Sequence, residues 1–415
     1  MANNIAVTQY ITNEILIRYL SQVKYVKTAY RGFDKQYKNL QYATGETLSY
    51  RLEENYTAEA GWVATPQDII QRVSTITVDQ NFHVMIALDG TELTLKRQAD
   101  APFLNERLLA KARALAEKAE STIAEKLKYS GYYTAGSPAS PLNSISAINI
   151  ARARMVEIGI PDDGMRYMAL TPMASATIAN SAQNYFNKKI NNAAIMEGYL
   201  GHAAGFDFFE TVFNTTQIAG SGDGTSAVAG VIPCGQINAT VSSGNTIVLK
   251  GLPANATGVV KKGDVIRVDG SHFVHRTVKS KTTQLAQFVV QADAGANGSG
   301  IVTITVEPAI EVSGPYQIIN TALQVNANVS LYATHDVSYA YHRNAIVFAA
   351  PPIKALEGGV ISSRSFSDKY QIAMTNTVGA DIRTYQNLNR MDMLIGSGIN
   401  GGYLVRMMSQ PITGN

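Results

Sequence analysis

His272 and His275 are spaced like a pair of metal ligands. Two imidazole nitrogens hold one zinc ion only when both side chains reach the same point. The surrounding residues predict a β-strand, in which a spacing of three places the two side chains on opposite faces of the sheet. We therefore expect no metal site here, and the sequence predicts no cofactor.

Patterns for phosphate binding and for nucleophilic catalysis are missing as well. Gly295, Gly298 and Gly300 precede a predicted strand, whereas a phosphate-binding loop places its glycines between a strand and the N-terminus of a helix. The single cysteine, Cys234, lies in no nucleophile motif, and the sequence contains no GxSxG, Walker A or HExxH pattern. We expect that the protein is not an enzyme, and keep an enzyme with a scattered active site as an alternative.

Three carboxylates near the single tryptophan are further candidates for acid–base chemistry. Glu53, Glu54 and Glu59 precede Trp62 in a polar stretch of the chain. Paired catalytic carboxylates need a protected environment that sets their pKa values apart. We therefore interpret these residues as solvated, or as partners in salt bridges between subunits.

The composition favours a surface that meets other protein. The 415 residues suffice for two or three structural units at roughly 150 residues each. Hydrophobic residues make up 46% and charged residues only 16%, so uncharged groups must cover much of the surface. The net charge of +3 is too small to indicate nucleic acid as the main partner.

The single cysteine fits folding in a reducing cytosol. The longest apolar stretch, residues 345–353, is far shorter than the ~20 residues of a membrane span.

The N-terminal region predicts an amphipathic helix that needs a partner surface. Its apolar face carries Ile11, Ile15, Tyr19, Val23 and Val26, and its far face carries Lys24, Lys27 and Arg31. Five tyrosines interleaved with lysines between residues 30 and 56 can stack on single-stranded nucleic acid, but tyrosine is equally favoured at protein interfaces. Because the chain has no basic excess, we favour a protein interface.

Residues 46–98 predict a long polar excursion with two β-rich parts. These parts lie at 47–52 and 73–95, and Asp89-Gly90 supplies a turn within the second. An isolated two-stranded ribbon buries too little surface to be stable. The excursion therefore needs a neighbour to lie on, and another subunit is one answer.

A long uninterrupted helix follows, which we call the spine helix. Asp100 and Pro102 form its start, and the helical pattern continues to Gly131. The apolar face carries Leu104, Leu108, Ala112, Leu115, Ala119 and Ile123. The other face alternates in sign, which predicts a solvated face; it carries Glu106, Lys111, Arg113, Glu117, Lys118, Glu120, Glu125 and Lys126.

The remaining residues predict a mixed α/β unit that is interrupted by an all-β insertion. A helix at 145–158, a strand at 166–170 and a helix that begins at Pro172 alternate. Short strands separated by glycine turns then follow at 246–249, 264–268, 272–278, 287–290 and 301–306. Regularly spaced strands without helices predict a small barrel or sandwich of about 100 residues.

Several groups of residues resemble segments of one protein family. They are Glu59-Ala60-Gly61-Trp62 (an EGW segment with one extra residue), Ala204-Gly205-Phe206-Asp207 (AGFD), Lys262-Gly263-Asp264 with Ile266 and Gly270 (a GDxI strand), Ile304-Thr305 with Pro308 (a closing strand), and Asp381-Ile382, Thr384, Leu388, Arg390 and Gly396 (a DIxT…L.R segment). The sequence resembles the major capsid proteins of tailed double-stranded DNA bacteriophages, in the short-tailed subgroup whose coat subunit carries a β-barrel insertion.

The resemblance implies the α+β fold of tailed-phage major capsid proteins with an inserted all-β barrel. On this sequence the implied parts are an N-terminal arm at 1–45, an extended loop at 46–98, a peripheral domain with the spine helix at 99–135 and 360–415, an axial domain at 136–224 and 326–359, and the inserted barrel at 225–325.

The function implied by the resemblance is structural: hexamers and pentamers of the chain close into an icosahedral shell around the phage DNA. The implied partners are other copies of the chain, a scaffolding protein, a portal, and packaged DNA contacted non-specifically, with no membrane and with assembly in the host cytoplasm. Our candidates for contacts between subunits are Tyr19, Lys24, Glu53, Glu54, Trp62 and Arg97. The alternative is another phage or surface structural protein, such as a tail component or an adhesin.

Overall fold

A computed structural model describes residues 2–31, 46–51, 56, 62, 73–89, 101–182, 201–354, 356 and 360–411. The chain divides into two compact units. The first unit comprises Met1–Leu52, Gln71–Ile123 and Ile346–Gly398, and the second comprises Glu53–Ile70, Ala124–Ala345 and Ile399–Asn415.

The described chain mixes helices and strands up to residue 182 and continues mainly as strands from residue 202. The helices are α1 (Ala2–Gln22), α2 (Tyr25–Thr28), α3 (Ala101–Ser130), α4 (Ile145–Ile158) and α5 (Pro172–Ala182). The strands are β1 (Glu46–Arg51), β2 (Val73–Asp89), β3 (Tyr133–Gly136), β4 (Arg166–Leu170), β5 (His202–Ala203), β6 (Phe206–Glu210), β7 (Val231–Ile237), β8 (Ser243–Lys250), β9 (Val265–Val274), β10 (Lys281–Val290), β11 (Val302–Glu311), β12 (Asn328–Tyr332), β13 (Asp336–His342), β14 (Ile346–Ala349), β15 (Ile361–Ser367), β16 (Ile372–Asp381), β17 (Gln386–Ile399) and β18 (Leu404–Ser409).

The first unit is built on a six-stranded sheet in the order β1-β2-β17-β16-β15, with β14 paired to β17. The long strand β2 pairs antiparallel with β1 through its first residues and with β17 through the rest. The expectation that this excursion needs a neighbour such as another subunit is therefore corrected in part, because β1 and β2 pair within the sheet of their own unit. Residues 90–95, which include the predicted turn residue Gly90, lie outside the described residues.

The core of this sheet explains why β2 joins it. Ile76 and Val78 are buried and alternate with exposed neighbours, so one face of β2 is apolar. Gly396 on β17 allows the close approach of the two strands, because a Cβ there would lie only 2.9 Å from Val78 Cγ2 and 3.0 Å from Ile76 Cγ2.

The apolar face of the N-terminal helix is covered within its own unit. α1 packs on β15, and the hydroxyls of Thr12 and Ser363 share a buried hydrogen bond of 2.5 Å. Ile15 and Tyr19 are fully buried. For the described part of α1, the partner surface that the sequence predicts is therefore supplied by the chain's own β15.

The spine helix is α3, and one expectation about its charged face is also wrong. Ala112, Leu115 and Ala119 are buried as predicted. Lys111 and Glu120, which we expected in solvent, are buried too. Lys111 Nζ donates a hydrogen bond of 2.7 Å to Asn389 Oδ1 on β17, and Glu120 receives backbone hydrogen bonds that are described below.

The second unit contains a six-stranded sheet and a closed barrel. The sheet has the order β3-β18-β13-β4-β6-β5, and the barrel has the order β10-β11-β8-β7-β12-β9. In the chain the barrel strands lie between β6 and β13. The predicted class, α+β with an inserted all-β barrel, is confirmed.

The barrel differs from the prediction in its strands. The two strands predicted at 264–268 and 272–278 are one strand, β9, whose pairing with β10 shifts register near Gly270. The strands β7 and β12 were missed, and β12 carries the barrel to Tyr332, beyond the predicted end at residue 325. β12 closes the barrel because it pairs with both β7 and β9, which are distant in the sequence.

The described residues hold neither a membrane-spanning helix nor a cluster of metal ligands. No described helix is long and apolar enough to cross a membrane. Across the same part of the chain, no group of three or more His, Cys, Asp and Glu side chains is placed to hold a metal ion.

Candidate assembly surfaces

Glu120 holds the start of α2 from inside the first unit. Its carboxylate accepts hydrogen bonds from the backbone N–H groups of Lys24, Tyr25 and Val26, each at 3.0 Å. α2 has no side-chain cap of its own, so Glu120 satisfies N–H groups that a helix start leaves open. Burial raises the pKa of the Glu120 carboxyl, and the three N–H groups oppose that rise. The carboxylate thus joins the N-terminal segment to the spine helix.

Tyr19 and Lys24, two of the predicted contact residues, differ in exposure. Tyr19 is fully buried in the first unit, and that burial raises the pKa of its hydroxyl. It therefore offers no surface to a neighbour in this structure. Lys24 is exposed, at the residue that precedes α2.

Trp62 has the largest relative exposure among the large apolar side chains of the described residues, at 106%. A tryptophan wholly in water presents apolar area that a protein partner can bury. The other predicted contact residues near the extended loop, Glu53, Glu54 and Arg97, lie outside the described residues, as does Glu59.

The turn between β16 and β17 presents two more apolar side chains. The Asp381 carboxylate accepts hydrogen bonds from the Thr384 hydroxyl at 2.8 Å and from the Arg383 N–H at 2.9 Å. These bonds lower the pKa of the Asp381 carboxyl. Ile382 and Tyr385 are 92% and 74% exposed. The carboxylate thus organises a turn whose apolar side chains point into water.

Arg406 lies fully buried in the second unit and connects three elements. Its guanidinium donates to the carbonyl oxygen of Gly263 at 2.9 Å and to that of Lys128. Lys128 lies in the last turn of α3, Arg406 lies on β18, and Gly263 lies two residues before the barrel strand β9. Burial lowers the pKa of Arg406, and the nearby Tyr339 and Asp264 oppose that change.

Asp264 stabilises the same connection between α3, β18 and the barrel, from the barrel side. Its carboxylate accepts hydrogen bonds from the Lys261 N–H at 2.8 Å, the Gly220 N–H at 2.9 Å and Gln217 Nε2 at 2.8 Å. Burial raises the pKa of the Asp264 carboxyl, against the effect of these bonds. Gly263 has a φ of +88°, and a Cβ there would lie 2.8 Å from Gln217 Oε1, so the position requires glycine.

The AGFD residues form a hairpin turn. Ala204 and Gly205 have φ angles of 52° and 81° and join β5 to β6, which is typical of a two-residue hairpin loop. Phe206 is fully buried. Asp207 Oδ1 lies 2.8 Å from His202 Nδ1 across the hairpin. The residues that carry the family resemblance therefore have folding roles in this structure.

A comparison with protein families decides the assignment. The family model described as P22 coat protein, gene protein 5, matches residues 1–400 of the 415. The chain belongs to this family. The coat protein is therefore a major capsid protein that forms the icosahedral shell of a bacteriophage, and it is located in the virion. No curated protein sequence matches it.

Solved phage structures are similar to the coat protein over most of its length. That of Mycobacterium phage Che8 is 11% identical with a TM-score of 0.46, covering 93% of this chain and 91% of that chain. The mature capsid of bacteriophage PhiM1 is 9% identical with a TM-score of 0.43, covering 94% of this chain and 88% of that chain. The capsid of Ralstonia phage GP4 is 8% identical with a TM-score of 0.42, covering 90% and 86%. The assignment rests on the family match alone.

Sequence reasoning missed the buried charges that position these surfaces, although each leaves a signal. Arg406 interrupts an apolar run between Val405 and Met407, which is unusual for a charged residue without a buried partner. Glu120 lies four residues after Ala116 on α3 and therefore borders the apolar face.

Proposed function

We propose that the coat protein assembles as hexamers and pentamers that close around double-stranded DNA, and that it performs no catalysis. The parts that carry assembly are the N-terminal arm (1–45), the extended loop (46–98), the peripheral domain (99–135 and 360–415) and the axial domain (136–224 and the residues between the barrel and 359), with the inserted barrel predicted at 225–325 and extended to Tyr332 by β12. The observation that carries the proposal is the full exposure of Trp62. A subunit that worked alone would gain stability by covering this side chain.

Contacts between subunits use surfaces that the isolated subunit leaves in water. Trp62 anchors the extended loop on an adjacent subunit, and Lys24 adds a charged contact beside the first helix. The exposed Ile382 and Tyr385 supply a third contact at the turn between β16 and β17. Many contacts of modest area make a closed shell stable in sum, while each single contact remains reversible.

Three further partners follow from the same proposal. A scaffolding protein and a portal take part in assembly in the host cytoplasm, and the packaged DNA is contacted non-specifically. The net charge of +3 supports the last point, because a surface that gripped DNA would carry a large basic excess.

The test replaces Trp62 by alanine, with Trp62→Phe as the matched control that keeps an aromatic ring. Sedimentation and negative-stain imaging, with and without a scaffold, measure the yield of closed particles. We expect Trp62→Ala to lower that yield strongly while the subunit stays folded, and Trp62→Phe to retain most of it.

The tryptophan also supplies its own optical signal, since the chain contains only one. In the wild type its fluorescence should shift to shorter wavelength on assembly, as water leaves the indole. Normal particle yield for Trp62→Ala, or a fluorescence spectrum that assembly does not change, contradicts the proposed contact.

A further inference from the structure

A groove of about 660 Å³ lies in the second unit, on the outer side of the barrel. One wall is formed by β3, the turn after it and the start of α4, and the other by residues of β9, β10 and β12. None of the predicted contact residues lines it. We call it the Arg267 groove, after the arginine on β9 that lines it.

The charge of this groove is unbalanced. The side chain of Arg267 makes no hydrogen bond or ion pair with any described residue, and its Nε is buried without a partner. The second arginine, Arg154, is already engaged: it donates to Glu157 Oε2 and to Thr283 Oγ1, both at 2.8 Å. No aspartate or glutamate is among the described residues that line the groove. A half-buried guanidinium without a counter-charge favours an anionic ligand.

The helix start in the groove adds to this preference. Ser144 precedes α4 in extended conformation and makes no side-chain cap bond. The first N–H groups of α4 therefore lack a side-chain acceptor from the N-cap residue, and they carry the positive end of the helix dipole. Ser144 and Ser146 line the groove at this end.

The floor of the groove is a network of polar side chains that are hydrogen-bonded to one another. Thr134 Oγ1 donates to Gln287 Oε1 at 2.8 Å, Gln284 Nε2 donates to the same oxygen at 2.6 Å, and Gln287 Nε2 donates to the Tyr332 hydroxyl at 2.7 Å. These bonds fix Gln284, which is 5% exposed, with its Oε1 buried and without a partner. The network therefore gives the groove a rigid floor, and the charge of Arg267 remains the feature that selects a ligand.

The rest of the lining distinguishes between two kinds of anion. Leu142, Ile150 and Leu285 line the groove, and Ile150 is 47% exposed. Such residues fit the apolar side chains of a peptide. A nucleic-acid groove instead carries several cationic side chains along a backbone, together with open aromatic faces. One unpaired guanidinium and apolar walls favour a peptide.

We propose that the Arg267 groove binds a short acidic peptide segment of another protein. Arg267 pairs with a carboxylate of that segment, and Leu285 and Ile150 contact the apolar residues that flank the carboxylate. The groove gives the coat protein a docking surface that is separate from Trp62 and from the turn between β16 and β17.

Fluorescence anisotropy tests this with the full chain and a fluorescein-labelled peptide, Gly-Leu-Glu-Glu-Leu-Gly, at low ionic strength. The comparison peptide, Gly-Leu-Gln-Gln-Leu-Gly, has the same shape without charge. We expect saturable binding of the acidic peptide, and binding of the comparison peptide that is weaker by about tenfold or more.

Variants locate the site. Arg267→Gln should weaken binding of the acidic peptide by about tenfold, and Arg267→Lys should restore part of the loss. Arg152→Gln is the matched control, because Arg152 is exposed on the same wall element, α4, and does not line the groove. Circular dichroism and the urea midpoint show that each variant is folded; Arg267 makes no bond that its replacement would break.

Three results overturn the proposal. The first is that the acidic peptide binds no better than the uncharged one. The second is that Arg267→Gln and Arg152→Gln weaken binding equally. The third is that a ten-nucleotide oligothymidylate displaces the peptide and that its own binding depends on Arg267. The last result would assign the groove to phosphate groups of nucleic acid instead.

Discussion

Each unit of the coat protein holds a buried charged side chain against backbone groups. In the first unit the Glu120 carboxylate accepts three N–H groups at the start of α2. In the second unit the Arg406 guanidinium donates to two carbonyl oxygens, of Lys128 and Gly263. Both satisfy backbone groups that no regular helix or strand bond reaches.

The difference lies in what can neutralise the two charges. Glu120 can take up a proton, and its raised pKa shows that the buried environment favours this. Arg406 keeps its charge at any ordinary pH, and Asp264 lies close enough to oppose the lowering of its pKa. The charge that connects β18 and α3 to the barrel is therefore permanent, whereas the charge that connects the N-terminal segment to the spine helix can be neutralised.

Removal of the Arg406 charge should have the largest effect. Arg406→Met leaves the carbonyls of Gly263 and Lys128 without donors and the Asp264 carboxylate without its nearby cation. We expect a loss of about 3–5 kcal/mol in the free energy of unfolding, measured in urea. Arg152→Met, at an exposed position, is the control. A loss below about 1 kcal/mol would show that the guanidinium does not hold the joint.

A break in the spine helix comes next. Ala116 is buried one turn before Glu120, and a proline there removes a helix hydrogen bond and clashes with the preceding turn, at a cost of about 3 kcal/mol or more. We expect Ala116→Pro to displace Glu120 from α2 and to prevent closed particles. Ala116→Gly, which costs about 1 kcal/mol, is the control. Normal particles from Ala116→Pro, seen by negative stain, contradict this expectation.

Glu120 itself should show a smaller effect. Glu120→Ala removes the acceptor of three N–H groups, of which water can reach some, and we expect a loss of about 2 kcal/mol. Glu120→Gln keeps one acceptor oxygen without the charge and should lose about half as much. Urea unfolding of both variants measures this. Equal losses would mean that the charge carries the joint, and not the hydrogen bonds.

Local patterns predicted much of the fold. The helix at 145–158 and the strand at 166–170 have the bounds that the structure shows, and the spine helix begins within a residue of its predicted start. These elements are set by apolar periodicity and by cap residues, which are properties of neighbouring residues. The inserted barrel was predicted as a region, because glycine turns and short strands recur there.

Pairings between distant residues were beyond the sequence pattern. β12 closes the barrel only through its partners on β7 and β9, and its own five residues resemble any short strand. The burial of Glu120 depends in the same way on residues 24–26, almost a hundred positions earlier. The Arg267 groove has no signal in the sequence, because its lining comes from five separate segments of the second unit.

Acid should act in opposite directions on His335 in the second unit and on Glu120 in the first, which gives the smallest and most selective effect. His335 is buried, with its Nδ1–H bonded to the Ala333 carbonyl at 2.6 Å. Burial, together with Arg406, lowers its pKa to about 3. Between about pH 3 and the ordinary pKa of 6.5, the unfolded chain binds a proton at His335 and the folded chain does not. The free energy of unfolding therefore falls as the pH drops below 6.5, by up to about 1.4 kcal/mol per pH unit. The raised pKa of Glu120 has the opposite sign, since the folded protein takes up that proton first and gains stability as the pH falls.

Hydrogen exchange followed by mass spectrometry resolves the two effects by segment. After correction for intrinsic rates, protection at the start of β13, next to His335, should fall between pH 7 and pH 5.5, while protection of α2 should hold or rise. In the barrel, burial raises the pKa of Glu307 on β11 to about 7 and also raises the pKa of Asp264, so these carboxyls oppose the loss there. His335→Gln keeps an N–H donor but cannot titrate, so it should remove the loss in the second unit and leave α2 unchanged. Glu120→Gln should do the reverse. If His335→Gln loses protection in acid as the wild type does, the pH sensitivity of this part of the second unit arises from groups other than His335.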